Sequence, residues 1–235
     1  MKIATLQGII DRRILVNYTV YPEFIEKLLP APFRPKLYRG KAIAGICLIR
    51  LKHIRPKGFP GFAGISSENG AHRIAVEWTE KGQTKEGVFI PRRDTSSLLN
   101  TVAGGRIFPG KHFHAKFDVK ENDGHYHVAF KSSDKTTVSI DAEETSTFDN
   151  GSIFQSLENV SAFFEGGDIG YSPNAGKYDG LQLKTFHWKV RPLLVQSVQS
   201  GFFENEDLFP KGSVQFDNAL LMTETEHEWR SVKEM

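Results

Sequence analysis

Apolar and polar positions alternate along most of the chain in short segments closed by Gly, Pro, Asn or Asp. That period of two is the mark of half-buried β-strands. Arg13–Val20 reads as a first strand and Lys41–His53 as a long one, followed by a Pro/Gly loop from Pro56 to Gly64. Ala71–Glu80 and Thr84–Ile90 predict a hairpin around Lys81-Gly82-Gln83. His112–Lys120 and His125–Lys131 predict another, turning at Glu121-Asn122-Asp123-Gly124. Thr136–Glu143, Leu181–Val190, Leu193–Phe203 and Val214–Arg230 complete the strands, the last with room for a helix. Three segments depart from the alternation. Pro22–Leu29 predicts a short helix, with Pro22 early in it and Pro30, Pro32 and Pro35 stopping it. Ser97–Ala103 predicts a second, capped by Thr95-Ser96-Ser97 and ended by Gly104 and Gly105. In Ser152–Phe164 the residues Phe154, Leu157, Val160, Phe163 and Phe164 recur at helical spacing.

Many strands and few helices leave edges that a strongly curved or closed antiparallel sheet would hide, and such a sheet encloses a small-molecule cavity. The 235 residues, 39% hydrophobic and 25% charged, suit one globular domain rather than a disordered chain. A net charge of +2 with both signs interspersed argues against a nucleic-acid partner. No apolar run reaches the ~18 residues of a membrane span, and the first residues lack the pattern of a signal peptide. The cytoplasm is therefore the expected location. Cys47 is the one cysteine, set in the apolar run Ile43–Ile49, where a small core residue is the simplest reading.

Candidate chemistry concentrates in two places. Gly104–His112 is a Gly/Pro corner carrying Arg106 and Lys111, and a lysine held there against apolar walls could become an amine nucleophile. Pro91–Ser97 gathers Arg92, Arg93 and Asp94 before a helix start, as either a carboxylate-binding cluster or a structural ion pair. His112, His114, His125 and His127 share one hairpin. A turn over 121–124 puts His127 opposite Asp118 and His125 opposite Lys120, leaving His114 roughly 13 Å further along, too far for a shared metal ion. No metal or cofactor is expected. Phosphate loops, dinucleotide fingerprints and serine nucleophile elbows are absent from the sequence.

Ser67–Arg73, Pro91–Ser97, Gly104–Gly110, Ser161–Phe164, Gly170–Pro173 and Phe216–Trp229 together make the chain resemble the uncharacterised bacterial family DUF2071, in the acetoacetate decarboxylase-like superfamily. The resemblance implies a mainly β (α+β) fold: a cone-like antiparallel β-barrel with a few short helices and an interior pocket. It also implies a pocket arginine at Arg13 (or Arg12) in Asp11–Asn17, and a pocket glutamate at Glu68 in Ser67–Gly70. The decarboxylase lysine pair is not matched. Lys111 comes about two residues early, and its neighbour is His112 rather than a second lysine. Losing that ammonium removes the repulsion that would deprotonate the nucleophile, which argues against acetoacetate decarboxylation itself.

The expected function is a lyase acting on a small oxo acid. Lys111, Glu68 and Arg13 would be catalytic, and Arg106, Arg92, Arg93 and His112 would bind substrate. A second version has no amine nucleophile and uses Glu68, with or without His112, as acid and base. The alternative is a non-catalytic module binding a hydrophobic acid. A small-molecule ligand, of carboxylate type, is the expected partner, and a homo-oligomer is compatible with the resemblance.

Overall fold

The computed structural model describes residues 5–98, 110–174 and 176–235. Its elements run β1 (Leu6–Val20), α1 (Pro22–Glu26), β2 (Arg34–Pro35), β3 (Leu37–Tyr38), β4 (Lys41–Pro56), a 3-10 turn (Gly61–Ala63), β5 (Ile65–Glu80) and β6 (Gln83–Thr95). After them come β7 (His112–Asn122), β8 (His125–Ser132), β9 (Thr137–Glu144), α2 (Leu157–Glu165), β10 (Ile169–Asn174), β11 (Lys177–Thr185), β12 (Arg191–Ser200) and β13 (Val214–Val232). The helix expected over Ser97–Ala103 lies largely outside the described residues.

Several boundaries move for local reasons. β13 is strand from end to end because it pairs with β1 from Leu6/Trp229 to Val20/Val214, which leaves no helix there. Residues 152–155 are held as turns by Asp217, which accepts from Ser152 Oγ at 2.7 Å and from the Ile153 N–H at 2.8 Å. The helix therefore starts only at Leu157, where Ser156 Oγ caps the Asn159 N–H. The β7–β8 hairpin turns on two residues rather than four. Asp123 and Gly124 both have positive φ, so Asn122 pairs with His125 and Lys120 with His127. An Asp-Gly pair favours that tight turn, and the two-residue slip leaves every side chain on its expected face.

The central strands are buried on both faces, which explains the continuous apolar run of β4. Ile14, Val16, Ala44, Ile46 and Leu48 join one core cluster with Tyr18, Trp78, Phe89 and Phe130. Their odd-numbered neighbours Leu15, Ile43, Cys47, Ile49 and Leu51 join a second, covered by Phe154, Val160, Phe163 and Phe164.

The expected cone-like antiparallel β-barrel is not what these strands form. They make one thirteen-stranded mixed sheet in which β6 runs parallel to both β7 and β10. Its pairings close an uneven ring of nine strands, β6-β7-β8-β9-β12-β13-β1-β4-β5, while β10 and β11 bridge β6 to β13. β6 and β13 each gain a third neighbour in this way. Pairing is continuous along β1 and β13 but short at β6–β7, which meet at Arg93/His112, Asp94/Phe113 and Thr95/His114. Period-two patterning reports strands and faces; it does not report direction or branching.

His72 of β5 is fully buried beside Phe202 and Phe203, with Nδ1 3.7 Å from Asp94. Burial, then Arg92, pushes its pKa down to about 3, while Asp134 acts the other way. The unfolded chain therefore takes up this proton first as pH falls. Stability from neutral His72 is complete above about pH 6.5 and drains away toward pH 3. Unfolding free energy in urea is expected to fall between pH 6.5 and 4. His72→Leu should flatten that slope by up to one proton, about 1.4 kcal/mol per pH unit. An unchanged slope would refute the assignment.

Candidate functional site

β1, β4, β5 and β6 lie side by side, so in-register residues form rows across the sheet. One row is Leu15, Cys47, Ala71 and Arg93; the next on the same face is Arg13, Ile49, Asn69 and Thr95; on the other side lie Asn17, Gly45 and Arg73. The small Ala71 leaves room among longer neighbours. The result is a cavity of about 120 Å³ lined by Arg13, Cys47, Asn69, Arg73, Arg93 and His112, with Leu181 and Trp229 among its apolar walls.

Three arginines meet there beside two carboxylates that bind elsewhere, Asp94 and Asp168, the latter accepting from Gln182 at 2.7 Å. Arg13 donates from Nε to Cys47 Sγ at 3.1 Å, and its NH1 lies 3.9 Å from Met222 Sδ. Arg93 donates from Nε to Ser172 Oγ at 3.3 Å. Arg73 is only 4% exposed, gives one NH2 bond to Asn17 Oδ1, and lies with Cζ 4.4 Å from the centre of the Phe164 ring. Its Nε and NH1 have no partner. Among the described residues, none of the three forms a carboxylate ion pair, whereas Asp94 at the pocket wall is taken by Arg92. Burial pushes the Arg73 and Arg93 guanidinium groups down to about 10, so both stay charged at neutral pH.

His112 completes the wall. Burial, reinforced by Arg93, lowers its pKa to about 4 against the opposing pull of the Gly110 carbonyl. It is neutral at pH 7, with Nδ1–H donating to Gly110 O at 3.1 Å and Nε2 left as the acceptor. Gly110 has φ +91°, and a Cβ there would come within 2.7 Å of Ser172 Cβ, so the turn presenting His112 requires glycine.

Of the residues singled out in the sequence, Arg13, Arg93 and His112 line this cavity. Glu68 sits on the opposite face of β5 from Asn69. It binds Arg12 NH2 at 2.6 Å and also pairs with Arg50, in a lattice that includes Asp11 and Glu121. Arg92 forks between Asp94 and Asp134. Lys111 is exposed, its Nζ 4.8 Å from the centre of the Phe113 ring. Arg106 lies outside the described residues. Arg73 and Cys47 are the site residues that the sequence reading missed. Alternation in Ser67–Arg73 puts Asn69, Ala71 and Arg73 on one face and Glu68 on the other, but it does not say which face borders a cavity.

Among the described residues, no three His, Cys, Asp or Glu side chains converge as metal ligands. A larger cleft of about 400 Å³ is lined by His53, Arg55, Glu226, His227 and Glu228, with Glu226 exposed to solvent. Arg55 donates to the His53 and Phe59 carbonyls, and Glu228 binds Lys57 and Arg230. The smaller cavity is the one that gathers several cations without an ion pair.

Two substitutions separate the faces. Glu68→Ala strips a partner from Arg12, which is 2% exposed, and is expected to cost about 3 kcal/mol of stability in chemical unfolding. The cavity should be left intact; a variant as stable as the parent would contradict a structural role. Arg73→Gln removes a desolvated charge while retaining a donor for Asn17. The ligand-free melting temperature should hold or rise by a few degrees, and a fall of 5 °C or more would mean that Arg73 is a structural tie instead.

Solved structures with the same fold share little sequence with this chain. An acetoacetate decarboxylase from Legionella pneumophila subsp. pneumophila str. Philadelphia 1 superposes with a TM-score of 0.60 at 14% identity, covering 99% of this chain and 88% of its own. The enduracididine biosynthesis enzyme MppR, complexed with pyruvate, gives 0.58 at 9%, covering 98% and 88%. An acetoacetate decarboxylase-like enzyme from Sphingomonas wittichii RW1 gives 0.56 at 13%, covering 97% and 91%. At these identities the likeness establishes the fold alone. No curated protein matches the sequence. The family described as an uncharacterized conserved protein, DUF2071, matches residues 10–219, nearly the whole of the sheet that builds the cavity. The chain is therefore a member of the DUF2071 family.

Proposed function

We propose that the protein binds a short oxo acid in the cavity between β1, β4, β5 and β6, with Arg13, Arg73 and Arg93 gripping its carboxylate. The observation that carries this reading is the cluster of three cavity-lining guanidinium groups without a carboxylate counter-ion. Taking a charge out of water is expensive unless an opposite charge compensates it. A guanidinium fork matches a carboxylate in shape as well as sign. At about 120 Å³ the space is suited to an acid of a few heavy atoms. The pyruvate complex of MppR, on the same fold, agrees with that ligand class.

A lyase reaction is the second reading, favoured by neutral His112 in the cavity wall. Its free Nε2 is suited to accept a proton next to a carbonyl, while an arginine stabilises the enolate oxygen. Exposed Lys111 lends no support to an amine nucleophile.

Thermal unfolding with pyruvate, acetoacetate, propanoate and neutral acetone tests the binding. The acids should raise the melting temperature in proportion to the logarithm of their concentration above Kd, by about 5–10 °C at a hundredfold excess. Arg93→Gln should need at least about tenfold more acid for the same shift. Acetone matching the acids would contradict the arginine grip.

A further inference from the structure

We propose that Cys47 is a covalent nucleophile for the ligand carbonyl, adding reversibly to C2 of a 2-oxo acid. This inference rests on the acid-binding reading above and extends it to the chemistry of the bound molecule. Cys47 lines the cavity and shares a cross-strand row with Ala71 and Arg93. Its sulfur receives the Arg13 Nε–H at 3.1 Å. A buried cysteine alone would signify only packing. The independent observation is Arg73, whose Nε and NH1 are unpartnered although the residue is 96% buried, and which lines the same space. Arg73 thereby places a buried, uncompensated positive charge in the cavity wall. A carboxylate held by Arg73 and Arg93 brings the adjacent carbonyl carbon toward the thiol, because Ala71 is too small to separate them.

The step needs no co-reactant. The sulfur forms a bond to C2 and the C=O π bond breaks. The thiol proton ends on the former carbonyl oxygen, giving a thiohemiketal. Arg13, which already donates to the sulfur, can follow the negative charge as it moves from sulfur to oxygen. No lysine lines the cavity among the described residues, so the thiol is the nucleophile placed nearest to the cation cluster.

The test uses the full chain with pyruvate labelled with carbon-13 at C2, read by NMR in the wild type, Cys47→Ala and Cys47→Ser. Melting curves with pyruvate and propanoate are run in parallel. The expected result is a protein-bound tetrahedral carbon signal, distinct from free pyruvate hydrate, that disappears in both variants while propanoate stabilises all three proteins alike. If pyruvate stabilises the wild type and both variants equally with no tetrahedral signal, covalent addition is overturned and acid binding stands. If neither acid stabilises the wild type, the acid-binding reading fails and takes this inference with it.

Alkylation gives an independent readout, since Cys47 is the chain's single cysteine and intact mass reports it directly. Iodoacetate should label it faster than neutral iodoacetamide. Arg73→Gln should cut that preference by about tenfold, the share of one charge-assisted hydrogen bond. Equal rates for both reagents in the wild type would overturn the steering on which the proposal depends.

Discussion

Adjacent residues on a strand face opposite sides of a sheet, and in this protein both sides are buried. That constraint governs the whole centre of the molecule. At Arg12 and Arg13 it sends two neighbouring cations in opposite directions. Arg12 enters a lattice with Glu68, Arg50 and Glu121, whereas Arg13 reaches the cavity, its guanidinium near the sulfurs of Cys47 and Met222. The same division recurs at Glu68 and Asn69 on β5, and at Arg92 and Arg93 on β6. Each time, one member is neutralised by a partner and the other is presented to the cavity.

The two sides make different energetic demands. Arg12 has carboxylates on two of its three nitrogens, so its desolvation is offset within the fold. Arg73 has a single neutral hydrogen bond and an aromatic face in exchange for its water shell. A cation–π contact of this kind contributes on the order of 2 kcal/mol when desolvated, less than the several kcal/mol that burying an ion costs. The difference has to be carried by the rest of the core, and under the acid-binding proposal an entering anion recovers it. Sites built for binding commonly trade stability in this way.

Much of this could be read in the sequence. Alternation located nearly every long strand, and the Gly/Pro corner and Pro91–Ser97 pointed to His112 and Arg93. Three things could not be read. Which of two adjacent charged residues faces the cavity depends on register across four strands, and that register is set by tertiary pairing and by irregularities such as the one between Ile10 and Arg12. For this reason Glu68 stood out in the sequence while Arg73, five residues on, did not. Nor did the apolar run around Cys47 say that one of its two buried faces borders a cavity. Direction and branching also left no trace: β10 is short, carries Gly170 and Pro173, and owes its place to β6 and β11. Its parallel pairing with β6 is one of the features that set the mixed sheet apart from an antiparallel barrel.

The central claim is that buried, uncompensated guanidinium groups define a site for a small carboxylate. A crystal structure of the protein with pyruvate tests it most directly. The account requires the carboxylate oxygens to lie within hydrogen-bonding distance, about 2.7–3.2 Å, of Arg73 and at least one of Arg13 and Arg93. Ordered pyruvate elsewhere, with waters satisfying the Arg73 Nε and NH1 groups in a ligand-free cavity, would contradict it.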